Sequence, residues 1–151
     1  MSYKNTVDKV EIEKFMGDWF VIAGRVTFLE KGGFNPLEQY KYVNGKIEIK
    51  FSFNKDSLTG PIKKIPQTAT IIDTETNAYW KVSPFWPLKF DYLVIGLADN
   101  YEWTAIGVPS QKYLWIMFRT PHPSQEQVSE VINSIDLKGY DTKNLEYFKH
   151  N

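Results

Sequence analysis

The chain has 151 residues, of which 42% are hydrophobic and 16% aromatic, enough for one domain with a substantial core over residues 1–151. Its 18 basic residues equal its 18 acidic ones, so the net charge does not favour nucleic acid as a partner. The chain has no cysteine, which excludes disulfides, thiolate metal sites and a cysteine nucleophile.

The first strand follows a glycine and a tryptophan. Residues 12–16 predict a short helix, and Gly17 allows a sharp turn into a strand because it has no side chain to clash. Trp19 then begins an inward face that strand alternation continues through Val21 and Ala23. An indole at the first inward position can close one end of a barrel.

Two further strands form the firmest local prediction. Asn44 and Gly45 separate residues 36–43 from residues 46–53, and Asn-Gly adopts the positive dihedrals of a two-residue hairpin turn. Residues 27–35, which contain two adjacent glycines, predict a loop long enough to cover a barrel mouth as a flexible lid.

Five more strands are predicted at residues 62–72, 77–83, 90–98, 101–108 and 112–119. Pro66 lies inside one of them and indicates a bulge or an edge, because proline cannot donate to a sheet ladder. Mostly short links between eight strands favour an all-β fold, an antiparallel up-and-down barrel, with a β-sandwich as the competing architecture.

The hydrophobic period changes after the last strand. Ser124 and Gln127 have the spacing of a capping box, and Gly139 can end the helix. Between them runs an apolar stripe at helical spacing, formed by Val128, Val131, Ile132 and Ile135. One C-terminal α-helix is therefore expected to pack on the outside of the barrel.

Catalytic and metal chemistry have little support in the sequence. The only histidines, His122 and His150, have no partners in the sequence and are interpreted as surface residues. Asp91, beside Tyr92 at a strand start, is interpreted as a turn acceptor that ties strand to loop. We expect no cofactor, no metal site and no catalytic residues.

The aromatic residues are the remaining candidates for function. Strand alternation places these on the inward face: Tyr40, Phe51, Phe53, Trp80, Tyr92, Trp103, Tyr113 and Trp115. They could simply fill the core. The same reasoning also places small residues inside, namely Ala23, Gly96, Ala105 and Gly107. Large aromatics beside small residues predict a cavity, since an eight-stranded barrel either fills with side chains or holds one small ligand.

Three stretches resemble the motifs of one family. Residues 15–23 (Phe-Met-Gly-Asp-Trp-Phe-Val-Ile-Ala), 90–95 (Phe-Asp-Tyr-Leu-Val-Ile) and 113–121 (Tyr-Leu-Trp-Ile-Met-Phe-Arg-Thr-Pro) resemble the lipocalins, specifically the bacterial group that is also similar to apolipoprotein D. The tail at 138–145 is similar as well, so the resemblance spans nearly the whole chain.

The resemblance implies a calyx in which Arg119 lies across Trp19 at the closed end, with Gly17 and Asp91 as the other structural motif residues. It also implies that positions matching Phe15, Tyr40 and Trp115 line the pocket. The implied function is non-catalytic transport or storage of a small hydrophobic ligand, a fatty acid or a lysophospholipid. Head-group selectivity is expected from the 27–35 loop and from Lys31.

Two rival functions remain open. A lipocalin-scaffold enzyme of isomerase type would need a titratable group inside, and the inward residues offer only tyrosines. A module that binds a tetrapyrrole or a protein would use an exposed patch at Phe85, Trp86 and Pro87.

The resemblance to bacterial members also bears on location and assembly. It implies a periplasmic or outer-membrane-associated protein if the source is bacterial and the precursor is exported. Membrane association is then expected of the native precursor, although the cysteine that anchors bacterial members is absent. We expect a monomer or a homodimer.

Overall fold

Eight antiparallel strands follow one another around the fold. The computed structural model describes residues 5–27, 32–85 and 87–151. Its elements, in chain order, are α1 (Ile12–Phe15), β1 (Gly17–Arg25), β2 (Phe34–Val43), β3 (Lys46–Asn54), β4 (Ile62–Ile71), β5 (Tyr79–Ser83), β6 (Phe90–Leu97), β7 (Trp103–Gly107), β8 (Leu114–Phe118), α2 (Gln125–Leu137) and β9 (Glu146–Tyr147).

The sheet closes on itself through its first strand. Each strand from β2 to β8 pairs with its sequence neighbours, and β1 pairs with both β8 and β2. The predicted eight-stranded up-and-down barrel with a C-terminal helix is therefore confirmed, and the sandwich is excluded. A further strand, β9, was not predicted from the sequence; its two residues pair with Ala23 and Gly24 of β1.

The predicted hairpin turn and the strand proline both have the local environment that their residue types require. Asn44 and Gly45 both have positive φ, 52° and 78°, as a hairpin turn between β2 and β3 requires. Pro66 pairs with Lys50 of β3, but β4 pairs with β5 only from Thr68 onward. The proline therefore lies in the part of β4 that has no β5 partner, where its missing N–H costs no ladder bond.

The C-terminal helix packs on the outside of the barrel through its apolar stripe. The Ser124 side chain accepts from the Gln127 backbone N–H, and the Gln127 side chain accepts from the Ser124 N–H, which forms the predicted capping box. Val128, Val131 and Ile135 are buried in an outer cluster with residues of β6 and β8. Within the described ranges, no helix combines the length and apolarity needed to cross a bilayer.

Two β-bulges reverse the face that simple alternation predicts. The register shifts between Val21 and Ala23 in β1, and again between Val94 and Gly96 in β6. A bulge adds one residue to one strand, so the residues beyond it change sides. Ala23 and Gly96 therefore face outward, and their predicted inward orientation is wrong.

The inward orientation predicted for Trp103, Ala105 and Gly107 is also wrong. These residues of β7 lie opposite Phe118, Ile116 and Leu114 of β8, whose side chains belong to the outer cluster beneath α2. Facing cross-strand residues share one side of a sheet. The inward residues of β7 are instead Thr104 and Ile106, at the alternate positions.

Arg119 and Trp19 close one end of the barrel. The guanidinium carbon lies 3.7 Å from the centroid of the fully buried Trp19 ring. The same guanidinium donates to the carbonyl oxygens of Lys14, Asp18 and Tyr101 at 2.8, 2.9 and 3.2 Å. Gly17 has φ of +100°, and the position of an added Cβ would lie 3.4 Å from Arg119 Nη1. This closed end thus ties α1, β1, β8 and the β6–β7 loop together.

We predict that Arg119→Met lowers the free energy of unfolding by about 2–4 kcal/mol. The substitution removes three hydrogen bonds of about 1 kcal/mol each and a cation–π contact of about 1 kcal/mol, while it keeps an apolar stem. Urea denaturation followed by circular dichroism measures the change. Lys50→Met on the outer face of β3 is the control and should stay within about 0.5 kcal/mol of wild type. Equal stability of the two variants would contradict a role for Arg119 in closing the barrel.

Candidate ligand cavity

The barrel contains a cavity of about 370 Å³, within the size range of small-molecule sites. Most of its lining is apolar or aromatic: Ile49, Phe51, Ile65, Val82, Phe90, Tyr92, Val108, Pro109, Tyr113 and Trp115. Polar side chains are fewer: Thr27, Glu38, Gln67, Lys89, Asp91 and Ser110. The predicted cavity therefore exists, although the small residues expected to create it face outward.

Four of the predicted binding residues line this cavity. Phe51 and Tyr92 are buried, whereas Tyr113 and Trp115 are half-buried. The rings of Tyr113 and Trp115 lie 5.9 Å apart, and the Lys112 ammonium sits 5.5 Å from the Tyr113 centroid. Strand β8 and the residue before it thus present two adjacent aromatic rings to the lumen.

Three other predicted binding residues lie outside the cavity lining, in the packed core of the barrel. The Phe15 ring is fully buried, with Trp19, Tyr40 and Trp80 rings at 5.2, 5.7 and 5.5 Å. Trp80 stacks on Tyr92 at 4.4 Å with an interplanar angle of 1°. Phe15, Tyr40 and Trp80 therefore support the lining residue Tyr92 from behind.

Two predicted binding residues lie elsewhere. Trp103 is on the outer face beneath α2, where it packs on the outer cluster and lies 3.0 Å from the position of an added Gly96 Cβ. Phe53 contacts Phe51 at 5.6 Å but lines a separate hollow with Phe20 and His150. The cavity-binding role predicted for Trp103 is corrected by this orientation.

A carboxyl group that was not predicted from the sequence lies inside the barrel. Glu38 of β2 lines the cavity and is only 6% exposed. Its Oε2 accepts from the Tyr40 hydroxyl at 3.2 Å, and the Tyr40 and Tyr92 hydroxyl oxygens are 2.8 Å apart. The signal was available, because Glu38 is two residues before the inward Tyr40. The expectation that only tyrosines would be titratable inside the barrel is therefore wrong.

Burial sets the protonation of the two tyrosines. Desolvation raises the pKa of both Tyr40 and Tyr92 well above its usual value, and the nearby Glu38 carboxylate raises each pKa further. Both hydroxyls are therefore neutral at physiological pH and act as hydrogen-bonding groups.

Asp91 joins two neighbouring strands. Its Oδ1 accepts from the Tyr79 hydroxyl at 2.8 Å and from the Lys81 ammonium, both on β5. Burial acts to raise the pKa of Asp91, but these two hydrogen bonds and the positive charge of Lys81 together lower it. Asp91 is thus a cross-strand acceptor between β5 and β6, which corrects the predicted turn-to-loop contact.

The described lining of the cavity includes an exposed lysine. Lys89, just before β6, lines the cavity and is exposed. Lys31 and the centre of the predicted lid, residues 28–31, lie outside the described residues, as does Trp86 of the predicted patch. Its neighbour Phe85 is 64% exposed.

The two histidines are in different environments. His122 is exposed, whereas His150 is half-buried, with Nε2 2.8 Å from the Val21 carbonyl oxygen and the ring 5.7 Å from Phe20. Burial lowers the pKa of His150. The surface assignment is therefore wrong for His150. Across the three described ranges, no group of three or more His, Cys, Asp or Glu side chains is placed to hold a metal ion.

A family model described as a lipocalin-like domain matches residues 10–150. Among curated proteins, the outer membrane lipoprotein Blc of Vibrio cholerae is 27% identical over 143 residues, covering 93% of this chain and 83% of that protein. The temperature-induced lipocalin-1 of Arabidopsis thaliana is 28% identical over 149 residues, covering 92% of this chain and 78% of that protein.

Solved structures have the same fold. Insecticyanin from the tobacco hornworm Manduca sexta superposes with a TM-score of 0.73 at 16% identity, covering 97% of this chain and 84% of that chain. Lobster apocrustacyanin A1 superposes with a TM-score of 0.72 at 10% identity, covering 92% of this chain and 79% of that chain. At these identities the likeness establishes the architecture only.

We predict that the protein loses stability as pH rises above about 10. The tyrosines of the unfolded chain release their protons near that pH, whereas Tyr40 and Tyr92 stay protonated in the fold because their pKa is raised. The contribution of these raised pKa values to the free energy of unfolding is fully present below pH 10 and decreases at higher pH. Urea unfolding between pH 8 and 11 measures the slope.

Tyr92→Phe should make that loss of stability shallower, since one shifted group is removed. Tyr42→Phe is the control, because Tyr42 is 47% exposed and lies outside the hydroxyl pair. Identical slopes for wild type and Tyr92→Phe would contradict the pKa shift.

Proposed function

Because the chain belongs to the lipocalin family, as the lipocalin-like match over residues 10–150 establishes, we propose that its barrel carries a fatty acid or a lysophospholipid. Lipocalin membership supports binding of a small hydrophobic ligand in the barrel. The acyl-chain class is our proposal, and the observation that carries it is the apolar-lined cavity of about 370 Å³.

An acyl chain suits this lining because affinity can come from buried area. Each buried methylene contributes about 0.8 kcal/mol before ordering and desolvation costs are subtracted. Phe51, Ile65, Val82 and Trp115 present flat or branched apolar surface from four strands, without directional demands on the ligand. A flexible chain can follow such a surface, whereas selectivity must come from the few polar groups.

The head group of the ligand would lie at the mouth. A carboxylate or phosphate gains attraction from the Lys89 ammonium, and it remains in contact with water there because Lys89 is exposed. The Lys112 ammonium, over the Tyr113 ring, adds a second positive charge near the mouth. Lys31, which the sequence analysis named, lies outside the described residues.

The proposed role is non-catalytic. Glu38 gives the isomerase alternative a titratable group inside the barrel, but its described hydrogen bond comes from Tyr40, whose pKa is raised by burial. Isomerase chemistry would need a base with a pKa near neutral pH, together with a proton donor. The proposal of a non-catalytic role rests on the mostly apolar lining of the cavity, which offers a ligand buried area.

We also propose an envelope-associated location for the protein. This proposal rests on likeness to relatives named outer membrane lipoprotein Blc, from Vibrio cholerae and from Escherichia coli at 28% identity over 137 residues. Fractionation of cells that express the full reading frame tests it, and recovery of the protein only with cytosolic markers would contradict it.

We predict that Trp115→Ala weakens binding of a fluorescent fatty acid about tenfold, the equivalent of about 1.4 kcal/mol. The reason is loss of the largest half-buried ring on the cavity wall, which the acyl chain would contact. Titration with the fluorescent fatty acid gives the affinity, and native mass spectrometry of the purified protein identifies any lipid that remains bound.

Trp103→Ala is the matched control for this experiment. The same indole is removed from the outer face beneath α2, so stability should fall while affinity stays within a factor of two. Unchanged affinity for Trp115→Ala would remove Trp115 from the site. Absence of fatty-acid binding by the wild-type protein, with no co-purifying lipid, would contradict the proposed ligand class.

A further inference from the structure

The two ends of the barrel differ in charge, although the chain as a whole has none. Successive connections of an up-and-down barrel alternate between its ends. Since β1 begins at the end that Arg119 closes, the β2–β3, β4–β5 and β6–β7 connections lie at the closed end. The β1–β2, β3–β4, β5–β6 and β7–β8 connections lie at the open end, where the cavity has its mouth.

The connections at the closed end are acidic. The β2–β3 turn carries no charge, and the other two connections, residues 72–78 and 98–102, contain four acidic residues and no basic one. The segment just before β1, residues 5–16, adds three acidic residues against two basic ones. A negatively charged surface therefore repels this end of the barrel.

The open end has an excess of positive charge. Four lysines there, the open-end lysines, have no acidic counterpart in the connections: Lys63, Lys64, Lys89 and Lys112. The other charged residues of these connections cancel in the sequence, because Asp56 stands against Lys55 and Glu30 against Lys31. The count covers every residue of the four connections and the first three residues of β4, so ion pairs formed among them leave the excess unchanged.

The open-end lysines are accessible to a partner. All four are exposed. Among the residues that the structure describes, ion pairs join Lys14 to Glu11, Arg25 to Asp141, and Lys81 to Asp91. None of these pairs includes an open-end lysine.

An exposed apolar turn lies beside these lysines, between β5 and β6. The side chains of Phe85 and Leu88 are 64% and 39% exposed. The Leu88 N–H donates to the Phe85 carbonyl oxygen at 2.9 Å, and the Ser83 hydroxyl donates to the Leu88 carbonyl oxygen at 2.6 Å. The backbone of the turn is thus held while its apolar side chains face solvent. Apolar side chains that enter a membrane interface, with lysines at the level of the head groups, are a known mode of lipid binding.

We propose that the open end of the barrel docks on a lipid bilayer whose surface carries anionic head groups. The open-end lysines contact the lipid phosphates, and Phe85 and Leu88 enter the interface between head groups and acyl chains. Repulsion of the acidic closed end fixes which end faces the bilayer. Docking does not depend on the cargo. Together with the proposed function, however, it lets an acyl chain pass between bilayer and cavity without crossing water.

Co-sedimentation with vesicles measures the docking. The protein is mixed with vesicles of phosphatidylcholine alone, or of phosphatidylcholine and phosphatidylglycerol in a two-to-one ratio. We expect binding to the mixed vesicles to be at least tenfold tighter at low salt, and this preference to disappear at about 0.5 M salt, where charges are screened. Equal binding to the two kinds of vesicle, or binding to neither, would overturn the proposal.

The double variant Lys63→Gln/Lys64→Gln should bind the mixed vesicles at least tenfold more weakly, because each lysine near an anionic surface contributes about fivefold. Lys41→Gln/Lys50→Gln is the matched control. It removes the same charge from exposed positions on the outer faces of β2 and β3, and should stay within a factor of two of wild type. An equal loss in both double variants would assign the effect to overall charge and overturn the docking surface.

Phe85→Ala tests the apolar part of the surface independently of charge. It should weaken binding to the mixed vesicles at least fivefold, whereas Tyr42→Ala, which removes a 47% exposed ring outside the open end, should not. If both variants bind as wild type does, the turn does not enter the interface and the proposed surface is wrong.

A fluorescent probe reports which end meets the bilayer. The chain has no cysteine, so a single introduced one can carry an environment-sensitive fluorophore. On addition of the mixed vesicles, the emission should shift to the blue for Leu88→Cys at the open end and stay constant for Thr74→Cys, which is exposed at the closed end. A shift at position 74, or at neither position, would overturn the proposed orientation.

Fatty-acid titration in solution separates docking from the carrier function. Lys63 and Lys64 lie outside the described cavity lining, so their double variant should keep its fatty-acid affinity within a factor of two. Fatty-acid binding without vesicle binding overturns the docking surface alone, and vesicle binding without fatty-acid binding overturns the carrier function alone. Circular dichroism establishes that each variant is folded.

Discussion

The cation–π contact between Arg119 and Trp19 is the constraint on which the barrel depends. Arg119 follows β8 and Trp19 lies in β1, so their contact fixes the seam where the two ends of the sheet meet. The three carbonyl oxygens that the guanidinium binds belong to chain segments that no strand ladder joins directly. With one end closed by this group, the lumen can open only at the other end, and any ligand must enter and leave there.

The bulges in β1 and β6 turn Ala23 and Gly96 toward the outer of the two apolar cores. Inside the barrel, large rings such as Phe15 and Trp80 pack solidly near the closed end. Outside, the small residues Gly96 and Gly107 allow the rings of Trp103 and Tyr140 to approach the sheet, at 3.0 and 2.6 Å from the position of an added Cβ. These small residues therefore allow aromatic rings to pack closely against the outer face of the sheet. The packed aromatic rings inside the barrel end at Tyr92. Beyond Tyr92, side chains line the wall of the barrel and leave the cavity between them.

The sequence predicts the features that rest on local chemistry. The Asn44-Gly45 turn and the Ser124 cap depend on backbone preferences of single residues, and the structure places both as expected. Side-chain orientation beyond a bulge depends on the pairing register, which the residues of one strand do not determine. Trp103 was misassigned for this reason. Glu38 shares the inward face of Tyr40 by alternation, although charged residues are rarely buried.

An exposed lysine beside an apolar lining favours one orientation of the proposed ligand. A purely apolar lumen would accept an amphipathic chain in either direction, at the cost of desolvating its head group when that group entered first. Here the exposed Lys89 of the cavity lining can attract a negatively charged head group that keeps its contact with water. Both effects favour the same orientation. Burial raises the pKa of Tyr40 and Tyr92 well above its usual value, so both hydroxyls stay neutral near neutral pH. The two hydroxyls therefore act as hydrogen-bonding groups across the physiological pH range.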